Sequence, residues 1–193
     1  MNDVANAADA ARDGGLVVYP TETVYGLGAD ALDPAAVERA FEAKRRDRSK
    51  PLSLGVPDVD TALPYVRQTD REERFMREFL PGPVTVVCER TDDVPDALTA
   101  GRDRVGVRVP DHDLARELLA EAGPLTATSA NVSGRESVTR VGDLDPEIRE
   151  AADAVLDGGL TGGTESTVVD VAAGEVIRRG AAADEIEAWL RTP

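Results

Sequence analysis

Cysteine and histidine are nearly missing: Cys88 and His112 are the sole residues of their kinds among 193. A lone cysteine excludes an intramolecular disulfide. Together with a lone histidine it also excludes a zinc site built from several His and Cys ligands. A Ser-His-Asp triad would have to use His112, and no nucleophile elbow accompanies it. Hydrolase and metallohydrolase chemistries lose their basis. Aromatics make up 4% of the chain, too few for a platform on which nucleobases stack. Acidic residues number 37 against 22 basic ones, and the net charge is -15, which argues against a broad nucleic-acid-binding face. No apolar run is long enough to cross a bilayer, and MNDVANAADAARDGG lacks the basic start of a signal peptide. The expectation is a soluble, cytoplasmic protein.

Lysine is scarce too. Lys44 and Lys50 are the only two, and the other 20 basic residues are arginines. Acid-rich, lysine-poor chains suit concentrated intracellular salt, so a halophilic source is expected, with unfolding at low salt and recovery in molar KCl. An acidic protein from a GC-rich genome would share this composition.

What is present suits one domain with a substantial core, spanning 1–193, with no internal repeat and no low-complexity linker. Residues 3–12 read as a short helix ended by Gly14-Gly15, and residues 16–19 as a buried strand stopped by Pro20. Asp33-Pro34 supplies an N-cap and an N1 proline for a helix through AAVERAFEAK. Strands are expected at 52–56, 84–87, 105–109, 125–128, 154–156, 167–171 and 175–179. Helices are expected at 70–79, 112–121, 146–152 and 183–191. This mixture without strict alternation predicts an α/β fold of the α+β type. Its sheet is mixed parallel and antiparallel, twisted and open, with helices on its faces, unlike a doubly wound sheet.

Four segments carry candidate chemistry. Thr21-Glu22-Thr23 follows a buried strand, and hydroxyls at a strand end bind small polar ligands as readily as they form a tight turn. Glycines 26 and 28 would let backbone approach such a ligand. Lys44-Arg45-Arg46-Asp47-Arg48-Ser49-Lys50 gathers both lysines into one loop, an outlier in so acidic a chain. Cationic loops of this kind bind phosphates, although they also offset a helix C-terminal dipole. No Walker motif is present, so side chains would have to hold a triphosphate. Thr128-Ser129-Ala130-Asn131-Val132-Ser133-Gly134 is a hydroxyl-rich turn after a strand, and ordinary turn chemistry explains it equally. Glu165-Ser166-Thr167 opens another strand, and Arg178-Arg179 close the next. Arg108 sits within the apolar VGVRV, where arginine needs an anionic partner, from a ligand or from an internal salt bridge. Cys88 reads as a small core residue, and His112 as packing or capping at its helix start.

PTETVYGLG (20–28), KRRDRSKPL (44–52), LPGPVTVV (80–87), VGVRVPDH (105–112), TSANVSG (128–134), STVVD (166–170) and IRRG (177–180) occur in this order and cover nearly the whole chain. Together they resemble the YrdC-like threonylcarbamoyl-adenylate synthase family, in its short form without an added C-terminal domain and, given the composition, from a haloarchaeal source. The resemblance implies a mixed twisted sheet around a concave, positively lined cavity. It implies a nucleotidyltransferase that joins L-threonine, bicarbonate and ATP into threonylcarbamoyl-AMP and releases pyrophosphate, with Mg2+ as the accompanying cation. The product would feed tRNA-modification proteins acting on the adenosine beside the anticodon.

By the same resemblance, Thr23, Arg108, Ser129 and Ser166 would bind threonine. Lys44, Arg46, Ser129 and Asn131 mark the nucleotide side, with Lys44 and Arg46 catalytic, and Lys50, Thr139 and Arg178 would add ATP contacts. The family's Lys-Gly-Arg is Lys44-Arg45-Arg46 here, Gly55 falls where some relatives carry histidine, and Val138 and Arg179 replace prolines. Competing readings are an RNA-binding or ribosome-maturation module using the same basic concavity, and a carbamoyl-transfer enzyme. Direct RNA binding would be weak at this charge.

Overall fold

A computed structural model describes residues 3–192; Met1, Asn2 and Pro193, which the expected 1–193 span includes, lie outside the described residues. In chain order the elements are α1 (Val4–Arg12), β1 (Val17–Tyr19), β2 (Gly26–Gly28), α2 (Pro34–Lys44), β3 (Ser53–Gly55), α3 (Val59–Ala62), α4 (Asp70–Phe79) and β4 (Val84–Glu89). They continue with α5 (Asp96–Thr99), β5 (Arg104–Arg108), α6 (Asp113–Ala122), β6 (Leu125–Ser129), α7 (Pro146–Ala151), β7 (Ala154–Val155), β8 (Thr167–Asp170), β9 (Glu175–Arg178) and α8 (Ala183–Leu190). The strands form one sheet in the order β7-β1-β2-β6-β3-β5-β4-β8-β9. Pairings β1–β7, β3–β5 and β4–β8 are parallel and the other five antiparallel, so the sheet is mixed, as expected.

The helix starts follow the sequence closely. Asp3 caps α1 through Asn6 N–H, and Asp33 caps α2 through Ala35 N–H with Pro34 behind it. Thr69 and Glu72 form a full capping box at α4, worth about 1 kcal/mol. His112 occupies the N-cap of α6, but its side chain makes no capping bond there; its Nε2 lies against Gly158 instead. No helix among the described residues is long and apolar enough to cross a membrane.

Strand alternation decides where the ligand space opens. Val18, Leu27, Leu54, Val86, Val107 and Val169 share one core with Phe41 of α2, Phe75 and Met76 of α4, Leu98 of α5 and Ile186 of α8. Each such fully buried side chain contributes about 1.5–3 kcal/mol. Cys88 belongs to this core, and burial pushes its thiol up to about 12, which leaves it inert. Val17, Tyr19 and Leu125 point the other way, into a smaller core with Leu118 and Leu119 of α6 and three alanines of α1. Beyond that second core the same face carries Ser53, Thr85, Gly106 and Ala127, which line an open cavity. Small side chains there keep the sheet floor low.

β2, like the short helices α3 and α5, departs from expectation. Gly26–Gly28 is a strand, paired with both β1 and β6. Its glycines have a packing role besides the expected one: a Cβ on Gly26, which lines the cavity described below, would lie 2.9 Å from the Tyr19 ring, and one on Gly28 would lie 3.1 Å from it. The glycines make room for that ring across the strand pair.

Candidate active site

The cavity has a volume of about 500 Å³. Its walls come from the β1–β2 connection, the loop after α2, strands β3 to β6, and the start of β8 with the end of β9. Thr23, Arg46, Arg108, Ser129, Ser166 and Arg178, all expected site residues, line it together.

Arg108 is the best anchored of them. It is 6% exposed. Its Nη1 donates to the carbonyls of Gly82 and Val84, and its Nη2 donates to Glu22 Oε1 at 2.9 Å and to Thr23 Oγ1 at 3.3 Å. Burial lowers its pKa, and the Glu22 carboxylate opposes that shift. The internal salt bridge expected of this arginine is thus present, and the arginine also lines the cavity. Glu22 carries no resemblance-based role and was missed as a partner, although its place between two expected hydroxyls was the available signal.

Two further arginines line the cavity. Arg46 lines the cavity and is held by the carbonyls of Lys50 and Pro51, each at 3.0 Å. Arg178 donates to Ser166 O at 2.8 Å and Ser166 Oγ at 3.1 Å, and pairs with Glu165 at 3.0 Å. Ser166 Oγ also meets Thr85 Oγ1 at 3.1 Å. Burial depresses the Arg46 pKa, and the neighbouring Arg178 charge depresses it further. Like charges gathered this closely and partly desolvated are a site poised for an anion.

Lys44 sits behind the cavity wall rather than in it. It is 1% exposed, and its ammonium donates to Ser129 O and, at 2.8 Å, to Asn131 O. Burial first, and Arg46 second, lower its pKa to about 7. Asn131 is also buried: its amide donates to Val132 O and Arg135 O, while its Oδ1 has no hydrogen-bond partner. Lys44, Lys50, Asn131 and Thr139 are not among the residues lining the cavity, unlike the other expected site residues. Lys50 is exposed. The Thr139 carbonyl instead receives Thr161 N–H at 2.9 Å, tying down the glycine-rich segment before β8. The space is also lined by Tyr19 and Glu165, which flank two of the candidate segments, and by Arg102, Arg104 and Asp170, which carried no expected role. The period-two spacing of Arg104, Gly106 and Arg108 on one strand was the signal for Arg104.

Residues 9–180 match the sequence profile of the Sua5/YciO/YrdC family, described as "Telomere recombination". The chain belongs to this family. A threonylcarbamoyl-AMP synthase of Pyrococcus abyssi is 40% identical over 168 residues, which cover 86% of this chain and 49% of that one. A threonylcarbamoyl-AMP synthase of Idiomarina loihiensis is 35% identical over 171 residues, covering 86% of this chain and 92% of that one. The crystal structure of P. abyssi Sua5 complexed with L-threonine superposes with a TM-score of 0.87 at 38% identity, covering 96% of this chain and 56% of that chain. The chain thus spans about half the length of its Pyrococcus relative.

Within this Sua5/YciO/YrdC chain, Arg45 takes the left-handed conformation, φ 48, as the C-cap of α2. That geometry is the one glycine adopts without a Cβ penalty, and glycine is what the resemblance placed between the Lys and the Arg. Arg45→Gly is expected to raise stability by about 0.5–1 kcal/mol, since the Arg45–Glu147 pair it removes is 3.5 Å long and exposed. A urea unfolding midpoint at or below that of the parent chain would contradict this.

Proposed function

We infer that this protein is an L-threonylcarbamoyladenylate synthase, with the described residues forming its catalytic domain. It would convert L-threonine, bicarbonate and ATP to threonylcarbamoyl-AMP and pyrophosphate for threonylcarbamoyladenosine modification of tRNA. Membership of the family and the names of its relatives support the reading. The observation that carries it is the pairing, in one cavity, of mutually repelling cations at Arg46 and Arg178 with the hydroxyls and guanidinium of Thr23, Ser129, Ser166 and Arg108.

The chemistry asks for what those residues offer. The threonine amine adds to CO2 and loses a proton, or displaces water from bicarbonate, and either route gives a carbamate. That carboxylate attacks the α-phosphorus of ATP, and pyrophosphate leaves. Charge develops on phosphate oxygens, so fixed cations stabilise the transition state, and no covalent nucleophile is needed. Arg108, with Thr23 beside it, would hold the amino acid. Arg46 and Arg178 would lie along the triphosphate, and Lys44 with Asn131 would hold the Ser129 turn between the two substrates. Among the described residues no group of three or more His, Cys, Asp and Glu could hold a metal. Mg2+ would enter with the phosphate oxygens of MgATP, and Glu165 and Asp170 are the carboxylates of the lining that could face it.

The test is pyrophosphate release from ATP, with and without L-threonine and bicarbonate. Release that depends on both is expected, and Arg46→Ala should cut it at least tenfold, about 1.4 kcal/mol. Release independent of threonine would end the reading. RNA binding without any such release would favour the binding-module alternative.

A further inference from the structure

The hydroxyls of the Thr21–Thr23 segment form a chain whose direction is fixed by its two ends. Thr21 Oγ1 lies 2.6 Å from Val24 O. A carbonyl only accepts, so the single hydroxyl proton of Thr21 is committed there. Thr23 N–H at 3.2 Å and Val24 N–H at 3.3 Å, from adjacent residues, make longer contacts that share one lone pair of Thr21 Oγ1 and leave its second for the shorter contact with Thr23. Its contact with Thr23 Oγ1, at 2.9 Å, must then run with Thr23 as donor. At the other end Arg108 Nη2, which only donates, meets Thr23 Oγ1 at 3.3 Å. The order is therefore Arg108 to Thr23 to Thr21 to Val24 O.

Thr23 Oγ1 has one proton and two lone pairs. Its proton goes to Thr21 and one lone pair to Arg108. One lone pair is left, on a side chain that lines the cavity. Both threonines are at least nine-tenths buried, so water competes weakly for these positions.

We propose that Thr21 is a positioning residue that makes the Thr23 hydroxyl an obligate acceptor, so that the site selects a ligand with an N–H or O–H donor at that point. This rests on the threonine-site reading above, in which the donor is the amino acid's amine. An amine meets the demand throughout the reaction, because a primary amine retains one N–H after it becomes a carbamate. Arg108 supports the same polarity. Four of its five N–H donors are committed to protein acceptors, so the guanidinium and the polarised hydroxyl act as one rigid pair.

The test is binding of L-threonine to the parent chain, to Thr21→Val and to Thr21→Ser, followed by steady-state kinetics. Thr21→Val removes the proton acceptor for Thr23 while keeping the shape. KM for L-threonine should rise about tenfold or more, with KM for ATP within about twofold. Thr21→Ser should restore the parent values. A Thr21→Val chain with unchanged threonine affinity would overturn the proposal. Parent chain that binds no threonine would instead overturn the threonine-site reading.

Should Thr21→Val fail to fold, the parent chain alone decides the matter with two acids of similar size. 2,3-Dihydroxybutanoate offers an O–H donor where threonine has its amine. 2-Fluoro-3-hydroxybutanoate offers only an acceptor there. The hydroxy acid should bind at least about tenfold more tightly, and equal affinities would show that Thr23 turns freely.

Discussion

Arg108→Met is expected to lower threonine-dependent pyrophosphate release by roughly a hundredfold and folding stability by about 3 kcal/mol. Two separate losses produce these effects. Removing the guanidinium strands the Glu22 carboxylate, whose side chain is 18% exposed, without its partner at 2.9 Å. Breaking a buried pair from one side costs more than deleting both partners, because the leftover charge stays desolvated. Glu22→Gln combined with Arg108→Met should therefore recover much of the stability. It should not recover activity, because the cationic donor remains absent. The carbonyls of Gly82 and Val84 also lose their donor, so the recovery is incomplete. Urea unfolding of the single and double variants, alongside the pyrophosphate assay, separates the terms. Full activity in Arg108→Met would remove this residue from the site.

Lys44→Met is expected to reduce activity at least tenfold, about 1.4 kcal/mol, and to erase a dependence of stability on pH. The ammonium that bridges Ser129 O and Asn131 O would vanish, so the turn bearing the cavity-lining Ser129 would lose its pin. The pH effect has a definite sign. Unfolded, Lys44 titrates near its ordinary 10.5; folded, burial holds it to about 7. Between those values the unfolded chain binds the extra proton, so stability rises with pH across that window and is level below it for this group. The parent chain should thus gain stability from pH 7 to pH 10, at up to about 1.4 kcal/mol per pH unit, relative to Lys44→Met. Parallel curves for the two proteins would mean that the lysine is solvated after all. If a triphosphate lies close to Lys44, it should draw the proton back, so ATP binding near pH 8 would take up protons from buffer.

The elements with strong local signals were legible in the sequence. Asp33-Pro34 announced α2, and the amphipathic stretch 70–79 gave α4 with the bounds it has. Pro20 and Pro110 marked where β1 and β5 end. Gly26–Gly28 was not legible as a strand, because three residues rich in glycine have no strand propensity; tertiary pairing with β1 and β6 makes it one. The four-residue helices α3 and α5 were too short for any periodicity.

At the site, residue types carried part of the answer. Hydroxyls and arginines at strand ends pointed to the cavity wall, and Thr23, Ser129, Ser166 and Arg108 are found there. Depth was the quantity the sequence withheld. Lys44 reads as one more cation of an exposed loop, yet the C-terminal turn of α2 swings it inward beneath the Ser129–Asn131 turn. Glu22 and Thr21 were visible as letters, but their roles depend on which atom donates to which. Only distances decide that.

The cavity draws its walls from Tyr19 of β1, early in the chain, to Arg178 of the edge strand β9, late in it. Occupancy and global folding are consequently one linked equilibrium: a fragment ending before Ser166 lacks both Ser166 and Arg178 of the cavity wall, and a ligand in place holds early and late segments of the polypeptide together. At a hundred times its dissociation constant such a ligand adds about 2.7 kcal/mol to the stability of the whole. In a cell, ligand supply would then regulate how long the protein survives.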